Sequence, residues 1–424
     1  MQLLALSLNY KSAALALRER VSLPEGELPG ALAELRALAP LVTESAILST
    51  CNRTEVYAAA DDPAAAAPAL IDWLARGDAS LLSELRPHLR TLPQEEAARH
   101  ALRVASGLES MVVGEPQILG QVKAAARRAQ EAGTLGPLLH QMFQRAFAVA
   151  KQVRTRTDIG KGVLSHGAAC VALACGLFSE LAHSRVLFVG AGSMIDSVAP
   201  HFAAQQPREL AVANRTPERA ERIARKLCAR TLVLGEVGER LQDFDIVVSC
   251  TGATRPVVTR EMVERAQLAR GGRPLLLLDL GVPRDIEADA ARLPGVSLHT
   301  IDDLGALVQA RAGVRGEALA QAEAIVDAHV ASFMAWMALR PCVPLLQRLN
   351  EQVERLCAAE LERARHILAM GQPAERALCS LASGLSNKLL HPPRTLLHGA
   401  THPDEAQRLL DHWVGTLERG GKSR

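Results

Sequence analysis

Over roughly the first 158 residues, apolar positions come in short runs set between helical patterns. Leu3 to Leu8 reads as a strand, and Glu27 to Leu38 as an amphipathic helix. Ala46 to Leu48 and Val56 to Ala60 read as two strands around a polar turn. Ala64 to Ala67, between Pro63 and Pro68, is a helix start or a surface loop. Pro116 opens a helix that runs to about Ala132 and stops at Gly133; proline suits the first helical turn and glycine the residue past the last. From about Ile159 to Leu298 the pattern changes. Val186 to Val189, Leu210 to Ala213, Ile246 to Ser249 and Leu275 to Leu278 are apolar strand candidates, separated by Arg/Glu-rich helical segments. That alternation predicts βαβ units and a parallel sheet. From Ile301 to Arg340 proline is absent and glycine rare, and Leu304, Leu307, Val308, Ile325, Val326, Val330, Phe333 and Met337 recur at helical spacing. Forty residues of helix reach about 60 Å and need a partner surface along their length. Pro341 and Pro344 are expected to break it, with further helices to about Leu417 and no strand.

These patterns predict an α/β chain in three parts: an α+β catalytic domain over 1–158, a Rossmann-type domain over 159–300, and a long helix with an all-helical oligomerisation module over 301–424. A length of 424 residues agrees, being too much for one core. The hydrophobic share of 48% and charged share of 22% are those of a soluble globular protein. A net charge of +2 does not mark a general nucleic-acid binder, so a polyanion site must be a local patch. The basic run Lys151, Arg154, Arg156 is a solvated helix face by default, or a phosphate contact. Met1 to Leu8 is short and lacks a basic leader, which does not fit a signal peptide. The most apolar long segment, Val163 to Ala182, carries Ser165, His166, Ser179 and Glu180 and reads as a core helix rather than a membrane span. The eight cysteines form no C-x-x-C pair and no zinc spacing, so no metal is expected, and their scatter reads as reduced and cytoplasmic.

One cysteine stands apart. Cys51 lies in Ser49-Thr50-Cys51-Asn52-Arg53-Thr54-Glu55, among hydroxyls, an amide, a guanidinium and a carboxylate. A neighbouring cation favours the thiolate, which marks Cys51 as a nucleophile. Arg53 either forms a surface ion pair or holds a substrate carboxylate in bidentate geometry. Gln117 and Gln121 share a face near a helix N-terminus, which suits an acyl oxygen or carboxylate. His100, taken alone, is a solvated or capping side chain rather than a general base. Gly190-Ala191-Gly192-Ser193-Met194-Ile195 follows a strand and opens a helix, the setting of a dinucleotide turn, although Ile195 replaces the third glycine. The next strand ends in Asn214-Arg215-Thr216, and arginine there favours a 2′-phosphate, hence NADPH. A thiol nucleophile and a nicotinamide domain together point to covalent acyl capture followed by hydride transfer. The two lie about 140 residues apart, so a closure motion is expected to join them.

Together these segments resemble the glutamyl-tRNA reductase family. The resemblance spans nearly the whole chain. It rests on Ser49 to Glu55, on the run Gly107 to Lys123, on Arg154 to Gly160, on Gly190 to Met194 with Asn214 to Thr216, and on Leu278 to Ile286. It implies NADPH-dependent reduction of glutamyl-tRNA(Glu) to glutamate-1-semialdehyde with release of tRNA, early in tetrapyrrole biosynthesis. By that likeness Cys51 is the nucleophile and His100 a residue important for activity. Thr50, Asn52, Arg53, Ser110, Glu115, Pro116, Gln117 and Gln121 then contact the glutamyl group. The likeness also implies a V-shaped homodimer, and transfer of the aldehyde to an aminomutase in a transient complex. Two departures stand out: Asn9-Tyr10-Lys11 where the family has Asn-His-Lys, and Ala13-Ala14 where Ala-Pro is common. The competing readings are a small-molecule NADPH dehydrogenase of the shikimate-dehydrogenase type, which needs neither Cys51 nor the helical C-terminal region, and a non-catalytic tRNA- or aminomutase-binding scaffold.

Overall fold

The N-terminal apolar run becomes a central strand. β1 (Gln2–Asn9) is followed by α1 (Leu15–Val21), α2 (Leu28–Ala37), β2 (Glu44–Ser49), β3 (Arg53–Ala60), α3 (Pro63–Leu74), α4 (Ala79–Leu85) and β4 (Arg90–Pro93). The four strands form an antiparallel sheet in the order β2-β3-β1-β4. Asp62 and Asp78 start α3 and α4 by accepting backbone N–H groups of the first turn, so Ala64 to Ala67 is a helix start. Then come α5 (Gln94–Ala105), α6 (Gln117–Glu131) and α7 (Pro137–Arg156). α6 ends where expected, with Gly133 in the left-handed region.

The computed structural model describes residues 1–160, 165–311, 316–399, 407–408 and 411. By its contacts the chain divides into two units, Met1–Met334 and Ala335–Arg424. The first unit continues with α8 (His166–Leu177), β5 (Arg185–Val189), α9 (Ser193–Ala203), β6 (Glu209–Asn214), α10 (Pro217–Leu227), β7 (Arg230–Val233), α11 (Val237–Arg240), β8 (Ile246–Ser249), α12 (Arg260–Arg270), β9 (Leu275–Asp279), β10 (Val296–Thr300), α13 (Ile301–Arg311) and most of α14 (Gly316–Leu339). Six parallel strands run β10-β9-β8-β5-β6-β7, the doubly wound Rossmann order. Alternate residues feed opposite faces: Val186, Phe188, Val248 and Leu278 pack toward α8, α9 and α13, while Leu187, Val189, Val247 and Leu277 pack toward α11 and α12. Residues 161–164 of the expected 159–300 domain, the last two of them in the expected apolar segment, lie outside the described residues; α8 carries 166–177 of that segment and packs on α9.

The long helix is described as α13 and α14, with residues 312–315 outside the described residues. Up to Met334 its partner surface is the N-terminal sheet domain. Ala322, Val326, Val330 and Phe333 are buried, Arg145 donates to Ser332 at 3.0 Å and its guanidinium covers Phe333, and His329 meets Gln152 at 2.9 Å. Arg99 pairs with Asp327, and Arg103 with Glu323. The expected break at Pro341 and Pro344 is only a 3₁₀ turn over Arg340–Cys342, because both prolines fall in first-turn positions, where no N–H is missed. The stretch Gly316–Ala369 is long and apolar enough, by length and composition, to cross a bilayer. In the second unit α15 (Val343–Ala369) and α16 (Ala374–Gly399) pack on each other. Buried Glu360 joins them, bonding Lys388 at 2.6 Å and Arg363 at 3.0 Å. Leu345, Leu346, Leu349, Leu368 and Leu378 are left exposed, an apolar face that calls for a partner. Helices expected beyond Gly399 lie mostly outside the described residues.

Candidate functional site

The hairpin of β2 and β3 presents Thr50-Cys51-Asn52 at its tip. Thr50 N–H donates to Arg53 O at 2.8 Å and Asn52 N–H to Thr50 Oγ1 at 3.2 Å, which closes the turn. Two residues, one from α1 and one just past β1, hold it from outside. Arg18 donates to the Cys51 carbonyl at 2.7 Å, and Tyr10 N–H donates to Asn52 O at 2.9 Å. The Tyr10 hydroxyl reaches Ser110 O at 3.2 Å, so the residue that departs from the family stretch touches the site. Ala14 stands at the N-cap of α1 with no side-chain cap, as a proline there also would, so the second departure leaves the capping unchanged.

Cys51 packs against the core face of the Rossmann sheet that carries α8 and α9. Burial pushes its thiol up to about 12, the Glu115 carboxylate adds to this, and Arg18 and Arg53 only partly oppose it. The expected cation-favoured thiolate is therefore not preformed: desolvation outweighs the two guanidiniums.

Arg53 is neither a surface ion pair nor a free carboxylate clamp. It is buried, its Nη1 donates to Glu55 Oε1 at 2.8 Å, and its Nη2 donates to Glu109 O. Arg53, Glu55 and Tyr57 alternate along β3 and so share one face of the strand. Glu55 also accepts from Tyr57 Oη at 2.6 Å and Ser7 Oγ at 3.1 Å, and lies 2.8 Å from His100 Nε2. Burial resists ionisation of Glu55, but the His100 imidazole, the Arg53 guanidinium and the bonds from His100 and Tyr57 prevail, holding its carboxyl far below the usual range. His100 is thus a buried partner of Glu55 rather than solvated or capping, and it does not line the cysteine pocket.

That pocket is lined by Thr50, Cys51, Asn52, Arg53, Ser110, Glu115, Gln117, Ile118, Gln121, His166 and Met194. Seven of the eight expected glutamyl contacts are therefore brought together; Pro116 is exposed and lies outside the lining. Gly114 clamps the loop between α5 and α6: with φ +85°, it lies where a Cβ would stand 2.6 Å from Ile159 O. Arg154, from the basic run, braces the same loop by donating to Glu115 O at 3.2 Å and Pro116 O at 3.1 Å, while Lys151 and Arg156 stay solvated. Burial raises the Glu115 carboxyl, opposed by Ser110, Arg53 and Arg154.

Sequence reasoning missed His166 and missed that Met194, expected only at the cofactor, shares this pocket. The Rossmann domain is already seated on the cysteine. Arg18 grips Asp302 of α13 with both carboxylate oxygens at 2.5 and 2.6 Å, and Arg284 pairs with Glu19 at 2.8 Å. The free space in the pocket is about 10 Å³, at the lower limit for one water. The two modules already touch, so a group larger than one water enters only if these contacts first open, and the expected closure is the return to this arrangement.

The dinucleotide turn fits its expected role. Gly190 leaves β5 beside the end of β8, the point where the strand order reverses. Its φ is +111°, and a Cβ there would stand 2.1 Å from Cys250 O, so only glycine lets the backbone pass. Ala191 and Gly192 lead into α9, whose Met194 and Ile195 are buried in the core, with Ile195 standing where the fingerprint has its third glycine. Asn214 Nδ2 donates to Thr216 O at 3.0 Å, which leaves Arg215 exposed at the tip of β6. Gly190→Ala is expected to cost about 1–3 kcal/mol and to weaken dinucleotide binding. A thermal melt with and without NADPH checks this, and wild-type values in both would contradict it.

Family comparisons agree with this architecture. Residues 6–157 match the glutamyl-tRNA(Glu) reductase N-terminal domain, 172–307 match shikimate/quinate 5-dehydrogenase, and 321–415 match the glutamyl-tRNA(Glu) reductase dimerisation domain. Among solved structures, the chain is similar to glutamyl-tRNA reductase from Methanopyrus kandleri, with 29% identity over 98% of this chain and 93% of that one and a TM-score of 0.39. It is also similar to the nucleotide-binding domain of glutamyl-tRNA reductase from Thermoplasma volcanium (20%, 35% of this chain and 94% of that one, TM-score 0.28). Shikimate dehydrogenase from Aquifex aeolicus matches less well (12%, 37% and 59%, TM-score 0.27). The helical C-terminal region is a dimerisation domain, which accounts for its exposed leucines and makes the protein a homodimer. The dehydrogenase match fills only the interval between two reductase domains that together span more than half of the sequence, and the chain therefore belongs to the glutamyl-tRNA reductase family, NADPH-dependent oxidoreductases of tetrapyrrole biosynthesis.

Proposed function

We propose that this protein reduces glutamyl-tRNA(Glu) to glutamate-1-semialdehyde through a thioester on Cys51. The observation that carries the reading is one pocket lined both by Cys51 and by Met194 of the dinucleotide turn. The aminoacyl ester is already activated. When the pocket opens, water lowers the cost of ionising Cys51, and Arg18 and Arg53 then favour the thiolate. The sulfur attacks the ester carbonyl, the carbon–oxygen bond to the terminal ribose breaks, and the tRNA oxygen leaves and takes a proton. Gln117 and Gln121, at the positive end of α6, orient the acyl oxygen or side-chain carboxylate, with Thr50, Asn52, Arg53, Ser110 and Glu115 completing the enclosure. His100 keeps Glu55 and Arg53 in place from behind, and Pro116 acts through the start of α6. NADPH, when bound, supplies the hydride that turns the thioester into the aldehyde and returns the thiol. Gly190 to Ile195 with Asn214, Arg215 and Thr216 would hold it, Arg215 taking the 2′-phosphate.

On this reading the modules divide near residues 158 and 300. The reactive aldehyde passes to an aminomutase in a transient complex, and the protein works in the cytoplasm, where charged tRNA is found. Orphaned polar atoms in the pocket, Asn52 Oδ1 and His166 Nε2, favour a working site over a decayed scaffold. The test is aldehyde formation from glutamyl-tRNA and NADPH. In that assay Arg215→Ala is expected to raise the KM for NADPH at least about tenfold, the loss of one charge-assisted contact, and to leave that for glutamyl-tRNA within error. An unchanged cofactor KM contradicts the 2′-phosphate assignment, and no aldehyde from the wild-type protein contradicts the reaction.

A further inference from the structure

His166 begins α8, on the cofactor side of the molecule, yet it lines the cysteine pocket. It is only 5% exposed, and its Nε2 is buried without a hydrogen-bond partner. A buried polar atom left unpaired is costly unless a ligand or water completes it. Its other ring nitrogen, Nδ1, faces Glu115 Oε2 at 3.6 Å, which favours the proton on Nδ1 and leaves a lone pair on Nε2. Asn52 Oδ1, in the same lining, is likewise buried and unpartnered. The pocket thus includes, beside the unpartnered hydroxyl of Ser110, three acceptors with capacity to spare: the Glu115 carboxylate, Asn52 Oδ1 and His166 Nε2. A primary ammonium carries three donors and no acceptor. The aminoacyl substrate brings one such group, on the carbon next to the ester that Cys51 attacks.

We infer that His166 is a further substrate-binding residue, which joins Glu115 and Asn52 in holding the α-ammonium of the aminoacyl group. This rests on the function proposed above. Burial pushes the imidazole down to about 4, so at neutral pH it is uncharged and does not repel the ammonium. Capping fixes its place: Ser165 Oγ accepts from Ala168 N–H at 3.1 Å and touches His201 Nε2 at 3.1 Å, and Gly167 lets His201 pack against the first turn. Because α8 packs on α9 of the Rossmann domain, the ammonium site is complete only when that domain is seated on the cysteine hairpin. Substrate recognition is in this way tied to the arrangement that hydride transfer needs.

The test compares glutamyl-tRNA with tRNA carrying the deaminated acyl group, glutaryl-tRNA, under saturating NADPH. The wild-type protein is expected to prefer the glutamyl substrate in kcat/KM. His166→Val reduces that preference about tenfold or more, the loss of one hydrogen bond to a charged group, while the KM for NADPH stays unchanged. His166→Gln, which keeps an acceptor, retains most of the preference. A purely structural role would lower both substrates equally and leave the ratio intact, and that result overturns the inference. Equal use of the two substrates by the wild-type protein overturns it as well, whatever the variants do. Failure of the wild type to form aldehyde from glutamyl-tRNA would instead strike the proposed reaction.

Discussion

Cys51→Ser is expected to lower aldehyde formation from glutamyl-tRNA by about 10³-fold or more while tRNA and NADPH binding stay at wild-type levels. Serine keeps the size of the side chain and disturbs neither the Arg18 bond to the residue-51 carbonyl nor the packing on the Rossmann core. What it removes is the sulfur. A hydroxyl is a far poorer nucleophile than a thiolate, and an ester formed on serine would accept hydride less readily than a thioester. The resting thiol is itself held protonated by burial. Entry of the substrate therefore depends on opening the contacts made by Arg18, Asp302, Glu19 and Arg284, and Arg18 also holds the Cys51 carbonyl. Aldehyde production by the serine variant within tenfold of wild type would remove the covalent step from the account.

The second large effect is one of stability. Glu55→Gln keeps the shape of a fully buried side chain but deletes its charge. Arg53 is left as an uncompensated buried cation, and the partners His100, Tyr57 and Ser7 lose a shared anion. Breaking one side of a buried ion pair costs about 3–5 kcal/mol, and for a domain of about 150 residues the melting midpoint falls by about 6–20 °C. Activity falls with it, because Arg53 is both the partner of Glu55 and part of the pocket wall. Calorimetry or circular dichroism of the variant reads the shift. A midpoint within about 2 °C of wild type would mean that Arg53 and His100 are not organised by this carboxylate.

Local patterns carried most of the fold. The strands of both sheets that were expected are present, the cysteine turn sits at a hairpin tip, and the Pro116 and Gly133 boundaries of α6 hold to within a residue. The strands left unread, β4, β7 and β10, are short edge strands with half-exposed residues, and these give little hydrophobic alternation. Most of the pocket was legible because its members cluster in two short segments, Thr50 to Arg53 and Ser110 to Gln121. The misread residues are those whose role depends on three-dimensional neighbours. Arg53 looked available because its flanking residues are polar, but the strand period sets it beside Glu55, a signal present in the sequence at spacing two. Arg18 reaches Cys51 across 33 positions and Asp302 across 284, and no local pattern encodes such contacts. His166 was legible only as a polar break in an apolar helix, and its use appears once α8 is laid on the cysteine pocket. The expected closure rested on sequence distance between modules, which says nothing about how firmly they already touch.

The central claim is that the amino acid leaves its tRNA for one sulfur before any reduction takes place. It is tested most directly by mixing the protein with radiolabelled glutamyl-tRNA in a single turnover without NADPH. The account predicts label bound to the protein in proportion to its active sites, located on the peptide that contains Cys51, released by hydroxylamine and converted to aldehyde when NADPH is added. Label remaining wholly on intact tRNA, in a preparation that forms aldehyde once NADPH is supplied, would contradict it.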